Sequence, residues 1–305
     1  MTISAPPVPK LPAGEFVGWF AAGSDAWHAA RAEGIGGSEI AAVLGISPHE
    51  SRFSLWHRKR GLVAPVEETN EMYWGKRHEP TICDEFEIRN PGWRAVPAPT
   101  FCGTGRPWQI VNPDRIALGP DGEVELIEAK TSRDAEGWGE EGTDEVPVYY
   151  RAQCRWYLAG LGLTRCRLLV LISGSDYREY VIEHDADDAQ MMLARAAEFL
   201  DTVRRNERPP IDGHDATYRV VKDLPDSVDD VDIEIAEALR DRYFAALDAC
   251  KKADEEKRAA AGLVLDDIGT ARRATCTGRK VATRVVKPDG STKSLQPARN
   301  REITT

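Results

Sequence analysis

The sequence has no apolar run longer than five residues, the length of LLVLI at 168 to 172. A helix needs about 20 apolar residues to cross a bilayer, so a membrane span is excluded. The opening residues, MTISAPPVPKLPAGEF, lack a charged start followed by an apolar stretch and do not read as a signal peptide. They read as a flexible lead-in over residues 1–20. Cysteine is sparse: the six residues at 83, 102, 154, 166, 250 and 276 include no CxxC pair. That spacing speaks against zinc ribbons, iron–sulfur clusters and disulfide scaffolds, and it suits a reducing cytoplasm. His28, His49, His57 and His78 show no H-x-x-x-H spacing, so no metal is assigned to them. Positive charge is also in deficit, with a net charge of −10, which taken alone counts against a nucleic-acid partner.

What is present is a globular composition. Hydrophobic residues make up 42%, enough for a substantial core, and charged residues 30%. The charge is unevenly spread. Acids crowd EEGTDE (140 to 145) and DLPDSVDDVDIE (223 to 234), while bases collect in SRFSLWHRKRG (51 to 61) and GTARRATCTGRKVATRVVK (269 to 287). A locally basic groove on an acidic protein is compatible with this distribution.

Periodicity divides the chain into helical and strand-like stretches. GGSEIAAVLGIS predicts a short helix with Ser38 as N-cap, Gly45 as its stop and Ile40, Val43 and Leu44 on one face. A second helix follows Ser51. A third, NEMYWGKRHEPTICDEFEIR, carries Glu79, with Pro80 marking a kink or a first turn. The period then changes: WQIVNPDRIAL and EVELIEAKTS predict strands joined around GPDG, and RCRLLVLIS and DYREYVIEHD a second hairpin. Between them lies the helix VPVYYRAQCRWYLAGLG, and after them a long one from DAQMMLARAAEF onward. The fold class is therefore α/β, a mixed central sheet flanked by helices. RPPIDGHDATYRVVKDLPDS (208 to 227) reads as a linker or long surface connection, followed over 228–305 by a long helix or helical hairpin and a small β segment.

The stretch NPDRIALGPDGEVELIEAK, residues 112 to 130, gathers two carboxylates and an ammonium around an apolar hairpin. Strand residues two apart share a face, so Glu128 and Lys130 project together. With a turn at 119–123, Leu118 pairs with Val124 and Asp114 lands opposite Glu128. Two acids side by side repel unless a cation separates them. A hard divalent ion held by carboxylate oxygens relieves that repulsion. The plain alternative is a surface hairpin with two salt bridges, Glu128 to Lys130 and Asp114 to Arg115.

The order E…PD…E-x-K…Q-x-x-x-Y resembles the PD-(D/E)XK nucleases. Within them the chain is most similar to YqaJ-like viral recombinases, relatives of lambda exonuclease. The resemblance rests on WHAARAEGIGGSEIAAVLG (27 to 45) and WGKRHEP (74 to 80), together with NPDRI and LIEAKTS. It implies a restriction-endonuclease-like core over 21–210. It also implies Asp114 and Glu128 as metal ligands with the Ala129 backbone carbonyl, and Glu79 as a further acid acting through water. Lys130 would orient the attacking water and stabilise charge, and Gln153 matches the family glutamine. The cofactor implied is Mg²⁺, with Mn²⁺ as a substitute.

The resemblance also implies a pocket for a terminal 5′ phosphate at Arg31 and Ser38, with Gly37 between them, and a DNA-binding place for Tyr157, one helical turn from Gln153 on the same side. The plain alternative is Ser38 as N-cap only and Arg31 as a surface charge. Phosphate-backbone contacts are expected from WHRKRG (56 to 61) and from Lys76 and Arg77. Trp56 and Trp74 are either core residues or wedges at a duplex end. The implied activity is 5′→3′ digestion of double-stranded DNA ends, leaving 3′ single strands for a partner annealing protein. The implied assembly is a ring-shaped homotrimer in a bacterial host cytoplasm. An endonuclease on the same core and a non-catalytic DNA-end-binding scaffold are the competing readings.

Overall fold

The computed structural model describes residues 9–21, 23–224 and 227–298. The chain divides into two compact units, Met1–Ser227 and Val228–Thr305.

The first unit opens with a strand, β1 (Glu15–Gly18), followed by helices α1 (Asp25–Ala32), α2 (Gly37–Val43), α3 (Arg52–Lys59) and α4 (Asn70–Arg89). Strands β2 (Arg94–Pro97), β3 (Thr100–Gly103), β4 (Arg106–Val111), β5 (Arg115–Leu118) and β6 (Val124–Ser132) come next. After α5 (Val148–Leu161) the chain adds β7 (Arg165–Ile172), β8 (Asp176–Glu183), α6 (Ala186–Arg204) and α7 (Asp215–Asp223). The main sheet has the order β2-β5-β6-β7-β8, and a smaller one the order β1-β3-β4. Only the β6–β7 pair in the main sheet is parallel, because α5 carries the chain across between them. This is the mixed sheet with flanking helices that the periodicity predicted.

Each strand of the main sheet faces two cores. On β6, Leu126 joins a large core with Ile116, Cys154 and Leu158, on the side where α5 packs. Ile127 joins a smaller one with Ile82, Cys83 and Phe86 from α4. Alternation therefore decides which helix a β6 side chain meets beyond its apolar stretch: Glu128 and Lys130 project on the Leu126 side, and Ala129 on the Ile127 side.

Several expectations need correction. Residues 15–18 of the expected lead-in form β1, which pairs with β3. WQIVNPDRIAL is not one strand. It breaks at Asn112, Pro113 and Asp114, so that β4 lies in the small sheet and β5 in the large one, and a proline, with no N–H for a ladder, suits that break. Helix α2 starts two residues earlier than predicted, with Gly36 as N-cap, and the Ser38 hydroxyl is free for another partner. Gly45, at φ +73°, does follow its end. Helix α4 runs through Pro80 over 20 residues. The expected linker contains α7, whose Thr217 hydroxyl is buried against Ser51 Oγ at 2.7 Å.

The second unit consists of α8 (Glu237–Asp267) and a three-stranded antiparallel sheet, β9 (Arg273–Cys276), β10 (Arg279–Val286) and β11 (Thr292–Pro297). Of the long helix or helical hairpin expected here, the structure has the long helix, one continuous element of 31 residues with no buried side chain. Nothing in EALRDRYFAALDACKKADEEKRAAAGLVLDD interrupts it: the single glycine, Gly262, falls near its end and costs only about 1 kcal/mol.

Candidate active site

The hairpin register is the expected one. Leu118 pairs with Val124 and Arg115 with Ile127, which carries Asp114 opposite Glu128 one step further on. There the ladder gives way to a side-chain bond: the Ala129 N–H donates to Asp114 Oδ2 at 2.7 Å. The N–H and C=O of one strand residue point the same way, so the Ala129 carbonyl opens toward Asp114 as well.

Glu128 is 2% exposed. Its Oε1 accepts from Lys130 Nζ at 2.6 Å and from Gln153 Nε2 at 2.5 Å. Its Oε2 is buried with no hydrogen-bond partner. Glu79 reaches the same end of the sheet from α4 and accepts from Arg115 Nη1 at 2.6 Å. Arg115 also donates to the Asp114 main-chain carbonyl at 2.6 Å. The plain salt-bridge alternative is thus half present: Lys130 does pair with Glu128, but Arg115 pairs with Glu79 and leaves the Asp114 carboxylate free for Ala129. Lys130 is held from a second side by the Tyr150 ring, its ammonium 5.1 Å from the ring centroid.

The electrostatics follow from burial. Glu128 is pushed up to about 8 by burial, then by Asp114, against the pull of Lys130. Asp114 is raised by burial, although Lys130 and the Ala129 N–H oppose the shift. Glu79 is raised by burial and by Asp114. Burial alone would lower Lys130, but the Glu128 and Asp114 carboxylates outweigh it and hold the ammonium protonated. Three acids that resist ionisation, one with an orphaned buried oxygen, form a donor set short of positive charge. Among the described residues no three His, Cys, Asp or Glu side chains are drawn together as a metal cage; each carboxylate leans on a protein donor. The donor chemistry nonetheless fits a hard divalent cation, which takes carboxylate and carbonyl oxygen.

A second cluster lies where α1 meets α2. Arg31, 8% exposed, donates from Nη2 to Ser38 Oγ at 3.1 Å and from Nη1 to Asn112 Oδ1 at 3.2 Å. Its guanidinium carbon sits 4.3 Å from the Trp27 ring centroid. Ser38 itself is exposed. Beneath them Glu39, 4% exposed, accepts from the Gly36 N–H at 2.8 Å and pairs with Lys59 and Arg58, each at 3.0 Å. Burial pushes Glu39 up, but Lys59, Arg31, Arg58 and the Gly36 N–H outweigh it and hold the carboxyl at about 2.

This network reassigns the basic run expected to meet DNA. Arg58 is bound to Glu50 and Glu39, and Lys59 to Glu39 and the Arg31 carbonyl. His57 turns inward to the Phe53 carbonyl at 2.8 Å. These charges build the scaffold instead of offering themselves to a backbone. Lys76, expected beside them, is exposed but paired with Glu68 at 2.7 Å. Trp56 is core at 3% exposure, whereas Trp74 is 54% exposed and stacks on His78. Tyr157, expected to face DNA, is 2% exposed and lies inside, behind Gly37. A helix residue one turn from a site residue shares its side of the helix, and here that side faces the core.

Residues 26–164 match the YqaJ-like viral recombinase domain. That span holds every residue of both clusters. The protein YqaJ of Bacillus subtilis is 30% identical over 204 residues, 65% of this chain and 62% of YqaJ. The chain therefore spans about three fifths of that relative's length. Protein D345L of African swine fever virus is 35% identical over 65 residues, 21% of this chain and 19% of its own. Among solved structures, an alkaline exonuclease from Laribacter hongkongensis has the same fold, with a TM-score of 0.50 at 18% identity, covering 65% of this chain and 97% of that one. No helix of the described residues is long and apolar enough to cross a membrane.

The YqaJ-like region also contains residues that sequence reasoning passed over. Asn112 precedes the Pro-Asp motif and holds Arg31, joining the hairpin to the second cluster. Glu39 and Lys59 form a buried pair, detectable in sequence only as two unremarkable charges. Tyr150 stands three residues before Gln153, and its ring faces Lys130.

Proposed function

We propose that the YqaJ-like unit is a metal-dependent DNA exonuclease that digests double-stranded ends 5′→3′ and leaves 3′ single strands for a partner annealing protein. The observation that carries this reading is the convergence on Glu128. A buried carboxylate with one orphaned oxygen faces Asp114 across the hairpin and is flanked by Lys130 and Gln153. A structural ion pair would satisfy both oxygens; this one keeps a ligand position in reserve. The name of the Laribacter protein, an alkaline exonuclease, and that of the recombinase domain point the same way.

Mg²⁺, or Mn²⁺ in its place, would be held by Asp114, Glu128 and the Ala129 carbonyl, with Glu79 at the flank. When bound it supplies an activated water and neutralises charge on the phosphate. The chain's own residues do the rest. Gln153 fixes the Glu128 rotamer through its 2.5 Å bond. The Lys130 ammonium, kept protonated by its carboxylate neighbours, offers hydrogen bonds to a developing oxyanion at a preorganised position. Arg115 keeps Glu79 turned toward the carboxylates. Arg31, with Ser38 exposed beside it, offers charge-assisted hydrogen bonds to a terminal 5′ phosphate. A ring-shaped homotrimer around the duplex belongs to the same reading.

The test of polarity uses linear duplexes labelled at the 5′ or the 3′ end and carrying a 5′ phosphate or a 5′ hydroxyl. The expected result is early release of the 5′ label as mononucleotide, faster from phosphorylated ends. Early release of the 3′ label refutes the polarity, and internal fragments without terminal loss favour the endonuclease reading.

A further inference from the structure

The two clusters are joined by a chain of contacts through α5. Gly37 lies directly on the Tyr157 ring. A Cβ added there would stand 2.8 Å from the tyrosine oxygen and closer still to two ring carbons, so only glycine fits without displacing the ring. The tyrosine oxygen in turn accepts from Gln153 Nε2 at 3.1 Å, and the same Nε2 donates to Glu128 Oε1 at 2.5 Å. Both Tyr157 and Gln153 are buried. Close-packed interiors offer few alternative positions, so a shift at one end of such a chain is transmitted more readily than absorbed.

At the other end, Gly37 is flanked by the residues of the second cluster. Ser38 is next in sequence and receives Arg31 Nη2. Gly36 lies so close to Arg31 that an added Cβ would stand 2.7 Å from the guanidinium carbon. A ligand drawing on Arg31 and Ser38 therefore pulls on backbone that rests against Tyr157.

We propose that Tyr157 is a positioning residue that couples the Arg31–Ser38 pocket to Glu128, so that a phosphate held in that pocket raises turnover and not only affinity. The proposal rests on the exonuclease reading above and adds to it a specific mechanical link. Tyr157 touches no reacting atom; it acts through Gln153 on one side and Gly37 on the other.

A residue that only filled the core would alter stability and leave the effect of the phosphate on kcat intact. The experiment compares kcat and KM on 5′-phosphorylated and 5′-hydroxyl duplexes for the wild-type chain, Tyr157→Phe and Arg31→Ala. The wild type is expected to show both a lower KM and a higher kcat with the phosphate. Tyr157→Phe keeps the ring and loses the hydroxyl. It should retain the KM effect and lose the kcat gain, with turnover on phosphorylated ends falling about fivefold, the range of one hydrogen bond. Gly37→Ala should do the same from the other end, and if it fails to fold, Tyr157→Phe decides alone. A Tyr157→Phe enzyme with the wild-type kcat gain overturns the proposal, as does a wild-type kcat indifferent to the phosphate. Arg31→Ala should erase the KM effect; if it leaves both effects in place, the pocket reading itself is wrong, whatever Tyr157→Phe shows.

Discussion

Replacing Glu128 by Gln is expected to stabilise the chain while abolishing cleavage. Burial and the neighbouring Asp114 carry this carboxyl from 4.5 up to about 8. The unfolded chain therefore ionises Glu128 above pH 4.5, while the folded chain resists ionisation until pH 8. The stability associated with the protonated form is complete below pH 4.5 and is lost progressively as pH rises through 8. At pH 7 the accumulated penalty is about 3 kcal/mol. Glutamine keeps an oxygen for Lys130 and Gln153 but places its amide N–H groups where Oε2 has no partner, which offsets about 1 kcal/mol. The net gain of about 2 kcal/mol corresponds to a rise of about 4–8 °C in Tm. The assay is thermal unfolding of both proteins in chelator, at pH 7 and at pH 5. The gain should be present at pH 7 and vanish at pH 5, where the unfolded chain's carboxyl is close to its ordinary pKa and the penalty falls to about 1 kcal/mol. A variant less stable at pH 7, or equally stabilised at both values, refutes the reasoning.

Glu39 should behave in the opposite sense. Its carboxyl is held at about 2, so it stabilises the fold above pH 4.5 and that stability is lost as pH falls through 2. Glu39→Gln should cost about 3 kcal/mol at pH 7, because Lys59 is left buried without its counter-charge, and acid titration of unfolding should lose its steepest component. Trp56→Ala should cost about 3–5 kcal/mol, whereas Trp74→Ala should change stability by no more than about 0.5 kcal/mol; urea unfolding of the two variants checks the contrast between a core and a surface indole.

The hairpin was legible because its physics is local. Alternation places Glu128 and Lys130 on one face, and a turn at 119–123 sets Asp114 opposite Glu128 without reference to the rest of the chain. Gln153 and Glu79 were legible only through the family pattern, since each arrives from a helix whose docking depends on distant packing. The errors have the same origin. Arg58 and Lys59 looked like a DNA-facing run because their partners, Glu39 on α2 and Glu50 just before α3, meet them only once the helices pack. Tyr157 looked exposed because helical spacing gives a side of the helix but not which side is buried. The α7 helix was hidden in a Pro- and Asp-rich stretch, where turn residues outweigh nine residues of helical pattern. Along α8, heptad-like spacing at Leu239, Tyr243 and Leu247 left a long helix or a helical hairpin open, and the absence of turn chemistry inside the stretch favours the single helix that forms.

The central claim is that Asp114, Glu128 and Lys130 form a metal-dependent site for cleaving DNA from its ends. The direct measurement incubates linear and covalently closed circular duplexes with the full-length chain, with Mg²⁺ or with chelator, alongside Lys130→Ala. Removal of a preorganised charge of this kind costs about 10²–10³ in turnover. The account predicts loss of the linear duplex only, only with Mg²⁺, and a fall of that order for Lys130→Ala. Degradation of the circle, cleavage that survives the chelator, or an unaffected Lys130→Ala enzyme would contradict it.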